Sequence, residues 1–136
     1  MLLAFTNARI FTGTETINGK ALIVRDNKID SLTELSHIPS GCEIIDCDGN
    51  YLTAGFIDLQ IAGAGGYLFS AEPTPEALKA ITSAIVRTGT TGFLIAIPTN
   101  SNEVYRQVIK TAGENPNQAL LGLHIEGPFL NPLRRG

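Results

Sequence analysis

The chain lacks most of the features that would commit it early to a class. It has two cysteines, Cys42 and Cys47, with no second pair to complete a zinc ribbon, so no metal site is expected on thiolates. Two thiols in a chain of this size fit a reduced, cytoplasmic protein better than a secreted one. Strong positive charge is also missing: ten basic against thirteen acidic residues give a formal charge of -3, and no Lys/Arg cluster exceeds Arg134-Arg135. That balance argues against a nucleic-acid partner. Long apolar runs are absent as well, since Gly92 to Pro98 and Ala119 to Leu123 fall far short of the ~20 residues a membrane helix needs. The start does not resemble a signal peptide, because Asn7, Arg9 and Thr12 interrupt its apolar character.

What is present suits a packed protein. The 136 residues, 43% hydrophobic and 17% charged, are enough for a real core. Residues 1–51 carry the signals of short antiparallel strands: near-alternation from Leu3 to Phe11, the compact run Ala21 to Val24, and turns at Asn18-Gly19, Asp26-Asn27 and Asp48-Gly49-Asn50. From residue 52 to 136 the pattern becomes strand, helix, strand, helix, strand. Gly55 to Ala62 reads as a strand and is followed by the loop Gly63-Ala64-Gly65-Gly66. Pro75 to Thr88 reads as a helix through Leu78, Ile81, Ile85 and Val86, capped by Thr74 and ended by Gly89. Gly92 to Ile97 is a continuous apolar strand. Ser101 caps a second helix to about Ala112, with Val104, Val108 and Ile109 on one side and Gly113 after it, and Ala119 to Ile125 is the third strand. Short links between such elements imply right-handed parallel βαβ units and an α/β fold.

The chemistry concentrates at strand ends. His124 and Glu126 lie two apart at the end of the third strand and project to one face. α/β enzymes keep catalytic groups at such carboxyl ends. Glu126 can hold a divalent metal, act as a general base, or cap a neighbouring amide; His124 can be a ligand, a substrate hydrogen-bond donor, or a structural histidine. Gly127-Pro128 turns the chain directly after the carboxylate. Asp58, Gln60 and Ala62 alternate onto one face of the first strand. There Gln60 is a poor zinc ligand, Ala62 cannot bind metal, and Asp58 reads as a buried carboxylate held by backbone amides. The glycine loop lacks a Walker lysine and reads as a turn between strand and helix in preference to a phosphate loop. Pro98-Thr99-Asn100 ends the second strand at the same rim, whereas His37 belongs to the β-rich part, and Arg134 and Arg135 read as a solvated pair.

The segments Ala54-Gly55-Phe56-Ile57-Asp58-Leu59-Gln60, Thr90-Thr91, and Leu121 to Pro132 with His124-Ile125-Glu126-Gly127-Pro128-Phe129 resemble the N-acetylglucosamine-6-phosphate deacetylases of the amidohydrolase superfamily. The resemblance implies the first three βα units of a (β/α)8 barrel (residues 52–136), preceded by part of a small β-sandwich (residues 1–51) whose C-terminal strands are absent. It matches Glu126 to the family's metal-binding glutamate. Gln60 agrees with the branch that uses one metal ion, while Ala62 departs from it. The implied cofactor is one divalent ion, zinc, and Gln60 and His124 are expected to contact substrate or support the site. The implied reaction converts N-acetylglucosamine 6-phosphate to glucosamine 6-phosphate and acetate.

The family's metal-binding histidines and proton-relay aspartate lie on later strands, which the resemblance puts beyond Gly136, so no catalytic residue is assigned here. Residues 1–136 are expected to be an N-terminal part, inactive alone. An open sheet with an uncovered apolar face favours self-association as a homo-oligomer. Two alternatives are an amidohydrolase acting on a cyclic amide or aminated base, and a non-catalytic scaffold.

Overall fold

A computed structural model describes residues 1–129, 131 and 133. The chain divides into two compact units, Met1–Ala54 and the residues from Gly55 onward. The first is built from β1 (Leu2–Thr6), β2 (Arg9–Phe11), β3 (Thr16–Ile17), β4 (Lys20–Arg25), β5 (Lys28–Glu34), a short 3-10 turn (Leu35–His37), β6 (Glu43–Asp46) and β7 (Tyr51–Leu52). They form two sheets, ordered β5-β4-β1-β6 and β3-β2-β7.

The near-alternation from Leu3 to Phe11 is two strands, not one. Asn7 takes φ 51 and breaks the run, and a short polar side chain tolerates that left-handed conformation. Residues Cys47 to Asn50 break the chain at the same level, with Asp48 and Gly49 both at positive φ. The two breaks are tied together: Gly49 N–H donates to Asn7 O at 2.7 Å, and Arg9 N–H donates to Asn50 O at 2.9 Å. β1 and β6 therefore pair parallel in one sheet, and β2 and β7 pair parallel in the other. Sequence pattern suggested antiparallel strands throughout, because nothing local announces a pairing across about forty residues.

Asp26 and Asn27, both at positive φ, do close the β4–β5 hairpin. Asn18-Gly19 does not close one. β3 pairs with β2 while β4 pairs with β1 and β5, so this turn passes the chain between sheets. The buried centre is small: Ala4, Ala21 and Ile23, with Leu2, Ile38 and Cys42 packed on them.

The second unit has β8 (Phe56–Ile61), a hairpin of β9 (Gly63–Ala64) and β10 (Tyr67–Leu68), α1 (Pro75–Val86), β11 (Thr90–Ile97), α2 (Asn102–Glu114) and β12 (Leu120–Ile125). Its three-stranded sheet, ordered β12-β11-β8, is parallel at both junctions. Strands consecutive along the helix-linked chain are thus neighbours, as the strand and helix alternation implied. Central β11 sends Phe93, Ile95 and Ile97, all fully buried, into one core with Leu78, Ile81 and Ile85 of α1 and Tyr105 and Val108 of α2.

Both helices start as their sequences dictate, with Thr74 Oγ1 accepting from Ala77 N–H at 3.2 Å and Ser101 Oγ accepting from Val104 N–H at 3.4 Å. Their apolar faces are narrower than spacing suggested: Val86 and Ile109 are exposed, whereas Tyr105, Val108 and Thr111 form the buried side of α2. Gly113 does not end α2, which runs on to Glu114 before the Asn115 amide caps the Thr111 carbonyl at 2.7 Å.

Candidate functional site

Strand β8 does not keep the simple alternation its sequence suggested. Phe93 of β11 pairs with Asp58 and Ile95 with Ile61, so two steps on β11 face three on β8. The extra residue is a bulge at Leu59-Gln60, a device that re-aims side chains beside functional sites. Asp58 supplies its local cause. Its carboxylate Oδ1 accepts the Gln60 backbone N–H at 3.0 Å, drawing that donor into a side-chain turn. Asp58 holds this one backbone amide, but it is half-buried and not buried as its position in the strand suggests.

The bulge organises the rim in two ways. Gln60 Nε2 donates to Glu126 Oε1 at 2.8 Å, across the width of β11, since β8 and β12 are not neighbours. In addition, His124 Nδ1 lies 3.4 Å from the carbonyl oxygen of Leu59, the other bulge residue. A carbonyl only accepts, so this contact is a hydrogen bond when the ring proton sits on Nδ1, which leaves Nε2 as an acceptor or ligand atom. The β11 residue paired with His124 is Ala96, whose single methyl leaves room for an imidazole to reach over it.

Glu126 is fixed at its backbone too, its N–H donating to Ile97 O at 3.0 Å. Its carboxylate is exposed, so the Gln60 amide orients it without desolvating it. Gln60, His124 and Glu126, the three residues singled out by sequence, are thus brought to one place. Among the described residues no three His, Cys, Asp or Glu side chains group as a metal site. A catalytic zinc typically takes three protein ligands, so His124 and Glu126 do not by themselves complete such a set.

These strand ends can be set beside known proteins. Residues 2–52 match the NagA composite domain family. Over its whole length the chain is 35% identical to the N-acetylglucosamine-6-phosphate deacetylase of Haemophilus influenzae, covering 100% of this chain and 36% of that protein. The fold of the crystal structure of N-acetylglucosamine-6-phosphate deacetylase from Pasteurella multocida overlies 98% of the chain with a TM-score of 0.91 at 37% identity, and 36% of that structure is covered. Along its whole length the chain is similar to N-acetylglucosamine-6-phosphate deacetylases. A mutant family member from Mycobacterium smegmatis, solved in complex with N-acetyl-D-glucosamine-6-phosphate, overlies 98% of the chain with a TM-score of 0.73 at 27% identity, and 34% of it is covered. The chain spans little more than a third of the length of the deacetylases it matches.

Ala62, the glycine loop and His37 do not join this group of side chains. Ala62 lies beyond the end of β8, and its carbonyl accepts the Phe69 N–H at 3.2 Å. The glycine loop is a hairpin, not a simple connection between strand and helix. Gly65 and Gly66, at φ 61 and 86, turn the β9–β10 hairpin, and two positive φ values suit the tight turn that joins such strands. Gly63 passes so close to the Tyr67 carbonyl that any Cβ would collide with it. His37 lies in the 3-10 turn of the first unit. The Arg134-Arg135 pair lies outside the described residues.

Sequence reading missed Tyr105, whose hydroxyl accepts the Asn100 N–H at 3.1 Å and reaches Pro98 O at 3.5 Å. Its signal was available: Tyr105 stands three residues before Val108, one helical turn earlier on the buried face.

Proposed function

We propose that the protein acts in the hydrolysis of N-acetylglucosamine 6-phosphate to glucosamine 6-phosphate and acetate, with this chain supplying the opening strands of the active-site rim. The observation that carries the proposal is the Gln60–Glu126 hydrogen bond, which aims a carboxylate from the carboxyl end of a parallel strand where family members do their chemistry. In this reading β8, β11 and β12 begin a (β/α)8 barrel. Glu126 is one ligand of a single divalent ion, zinc, and the other ligands come from residues outside those described. When bound, such an ion activates water and polarises the acetamide carbonyl.

Gln60 holds the Glu126 carboxylate in orientation, and His124 offers Nε2 toward ion or substrate. Residues 1–136 alone are expected to be inactive, because the described residues fall short of a complete ligand set. Cytoplasmic residence and homo-oligomer formation belong to the same reading.

The test is a chimera in which residues 1–136 replace the matching third of the Haemophilus influenzae deacetylase. Acetate release from N-acetylglucosamine 6-phosphate is expected from the chimera and is expected to fall by more than about 100-fold with Glu126→Ala, the scale of losing a ligand or a key electrostatic group. A folded chimera that retains activity after Glu126→Ala, or that prefers a neutral unphosphorylated ring, would overturn the reading.

A further inference from the structure

We propose that Tyr105 is a positioning residue for Glu126, acting through the Pro98–Asn100 loop and the backbone of Gly127. The inference deepens the reading of Glu126 as the functional carboxylate, but its geometry stands without any metal ion.

Tyr105 is 7% exposed, on the face of α2 that packs under β11. A buried tyrosine must find partners for its hydroxyl, and here both belong to one loop. The oxygen accepts the Asn100 N–H at 3.1 Å and lies 3.5 Å from Pro98 O. It therefore closes the segment that leaves β11 directly after Ile97, the residue whose carbonyl accepts the Glu126 N–H.

The loop in turn meets the chain that follows Glu126. A Cβ built on Gly127 would come within 2.9 Å of the Tyr105 hydroxyl and would strike the Thr99 side chain. Gly127 is not among the glycines at positive φ, so its need for glycine is close approach and not backbone conformation. Glu126 is thus bracketed by a ladder bond on its own N–H and by Thr99 and Tyr105 against the residue after it. That bracket leaves the carboxylate where Gln60 Nε2 reaches it at 2.8 Å. Preorganisation of this kind, in which a packed support holds a reactive group, is what a precise site requires.

The bland alternative is that Tyr105 merely fills the core, and loss of stability alone would not separate the two. The Gln60 side-chain amide does, because it reports the carboxylate position directly. In proton–nitrogen correlation spectra of the 136-residue chain without metal, Glu126→Ala defines the shift of the unpaired Gln60 amide. Tyr105→Phe keeps the ring and deletes the hydroxyl, and is expected to move the Gln60 signal more than half of the way to that reference. Gly127→Ala, which pushes the turn off Thr99 and Tyr105, is expected to do the same and carries the test should Tyr105→Phe not fold. Val108→Ala, which damages the same helix core without touching the loop, is expected to leave the Gln60 signal in place. A Gln60 signal unmoved by Tyr105→Phe, or moved as far by Val108→Ala, would overturn the proposal. Titrating wild-type protein with zinc tests the metal reading separately, since perturbation of Glu126 by zinc bears on the ligand role and not on the bracket.

Discussion

The two units solve the burial problem differently. In the first, a four-stranded and a three-stranded sheet enclose Ala4, Ala21 and Ile23 as a buried cluster, and Ala8 and Ile10 are the other buried apolar side chains. In the second, three strands and two helices bury Phe69, Phe93, Ile81, Ile95, Ile97 and Val108 completely or nearly so. The first is held by many turns and pairings between short strands, the second by one central strand with helices packed on it. The candidate site accordingly lies on the second, where a rigid core can hold side chains such as Gln60 and Glu126 in fixed register.

The sharpest way to break that contrast is to cut into both cores. Phe93→Ala removes a fully buried ring from β11 and is expected to cost about 3–5 kcal/mol, because the cavity adds to the lost transfer free energy. Ile23→Ala, in the smaller cluster, is expected to cost about 2 kcal/mol, at the low end for such truncations. Urea titrations followed by residue-resolved amide spectra would give both values. Equal losses at the two sites would show that the first unit depends on its core as much as the second.

How far the sequence could be read divides along the same line. In the second unit, the periodicity of Leu78, Ile81 and Ile85, the caps Thr74 and Ser101, and the apolar run Gly92 to Ile97 are local signals, and each became the element they announce. Gln60, His124 and Glu126 were also legible as strand-end polar groups, and the structure brings them together. Their mode of contact was not legible. It depends on the bulge at Leu59-Gln60 and on a neighbouring strand carrying Ala96, and neither shows in a pattern that assumes strict alternation. In the first unit, turn residues were visible but the parallel partners of β1 and β2 lie about forty residues away. The glycine loop misled for a similar reason, since Gly65-Gly66 carries a hairpin signal that its position after a strand disguised as a connector.

Glycines offer a finer cut. Gly63→Ala in the second unit drives a methyl into the Tyr67 carbonyl and is expected to destabilise by about 1–3 kcal/mol, as overpacking does. Gly13→Ala in the first unit meets open space at φ +103, so conformational strain of about 1 kcal/mol is the whole expected cost. Thermal unfolding of the two variants would rank them, and a reversed order would mean that the β9–β10 hairpin can shift without disturbing α1. The helix caps come next: Thr74→Ala and Ser101→Ala are each expected to cost about 1 kcal/mol, and hydrogen exchange should localise the loss to the first turn of each helix.

The smallest effect is expected on acidification, and it favours the second unit. Three carboxylates of the first unit titrate below their ordinary value: Asp26 through a hydrogen bond from the terminal amine, Asp30 through the Arg25 guanidinium, and Asp46 through the Asp48 N–H and the Asn7 amide. In the second unit Glu103 is lowered by its own backbone N–H and by Ser101 at the start of α2. A carboxylate held below its unfolded value contributes stability at pH above about 4, and that contribution disappears as pH falls through the lowered folded value. The first unit should therefore lose more stability than the second below about pH 4. Salt sharpens the comparison further, because Asp26 and Asp30 lean on cations whereas the partners of Asp46 are neutral. Carboxyl-carbon titrations at low and high ionic strength should show the shifts of Asp26 and Asp30 shrinking with screening while that of Asp46 persists. Equal shrinkage of all three would mean that long-range charge, and not the local Asp46 hydrogen bonds, sets the acid response of the turn that carries the chain between the two sheets of the first unit.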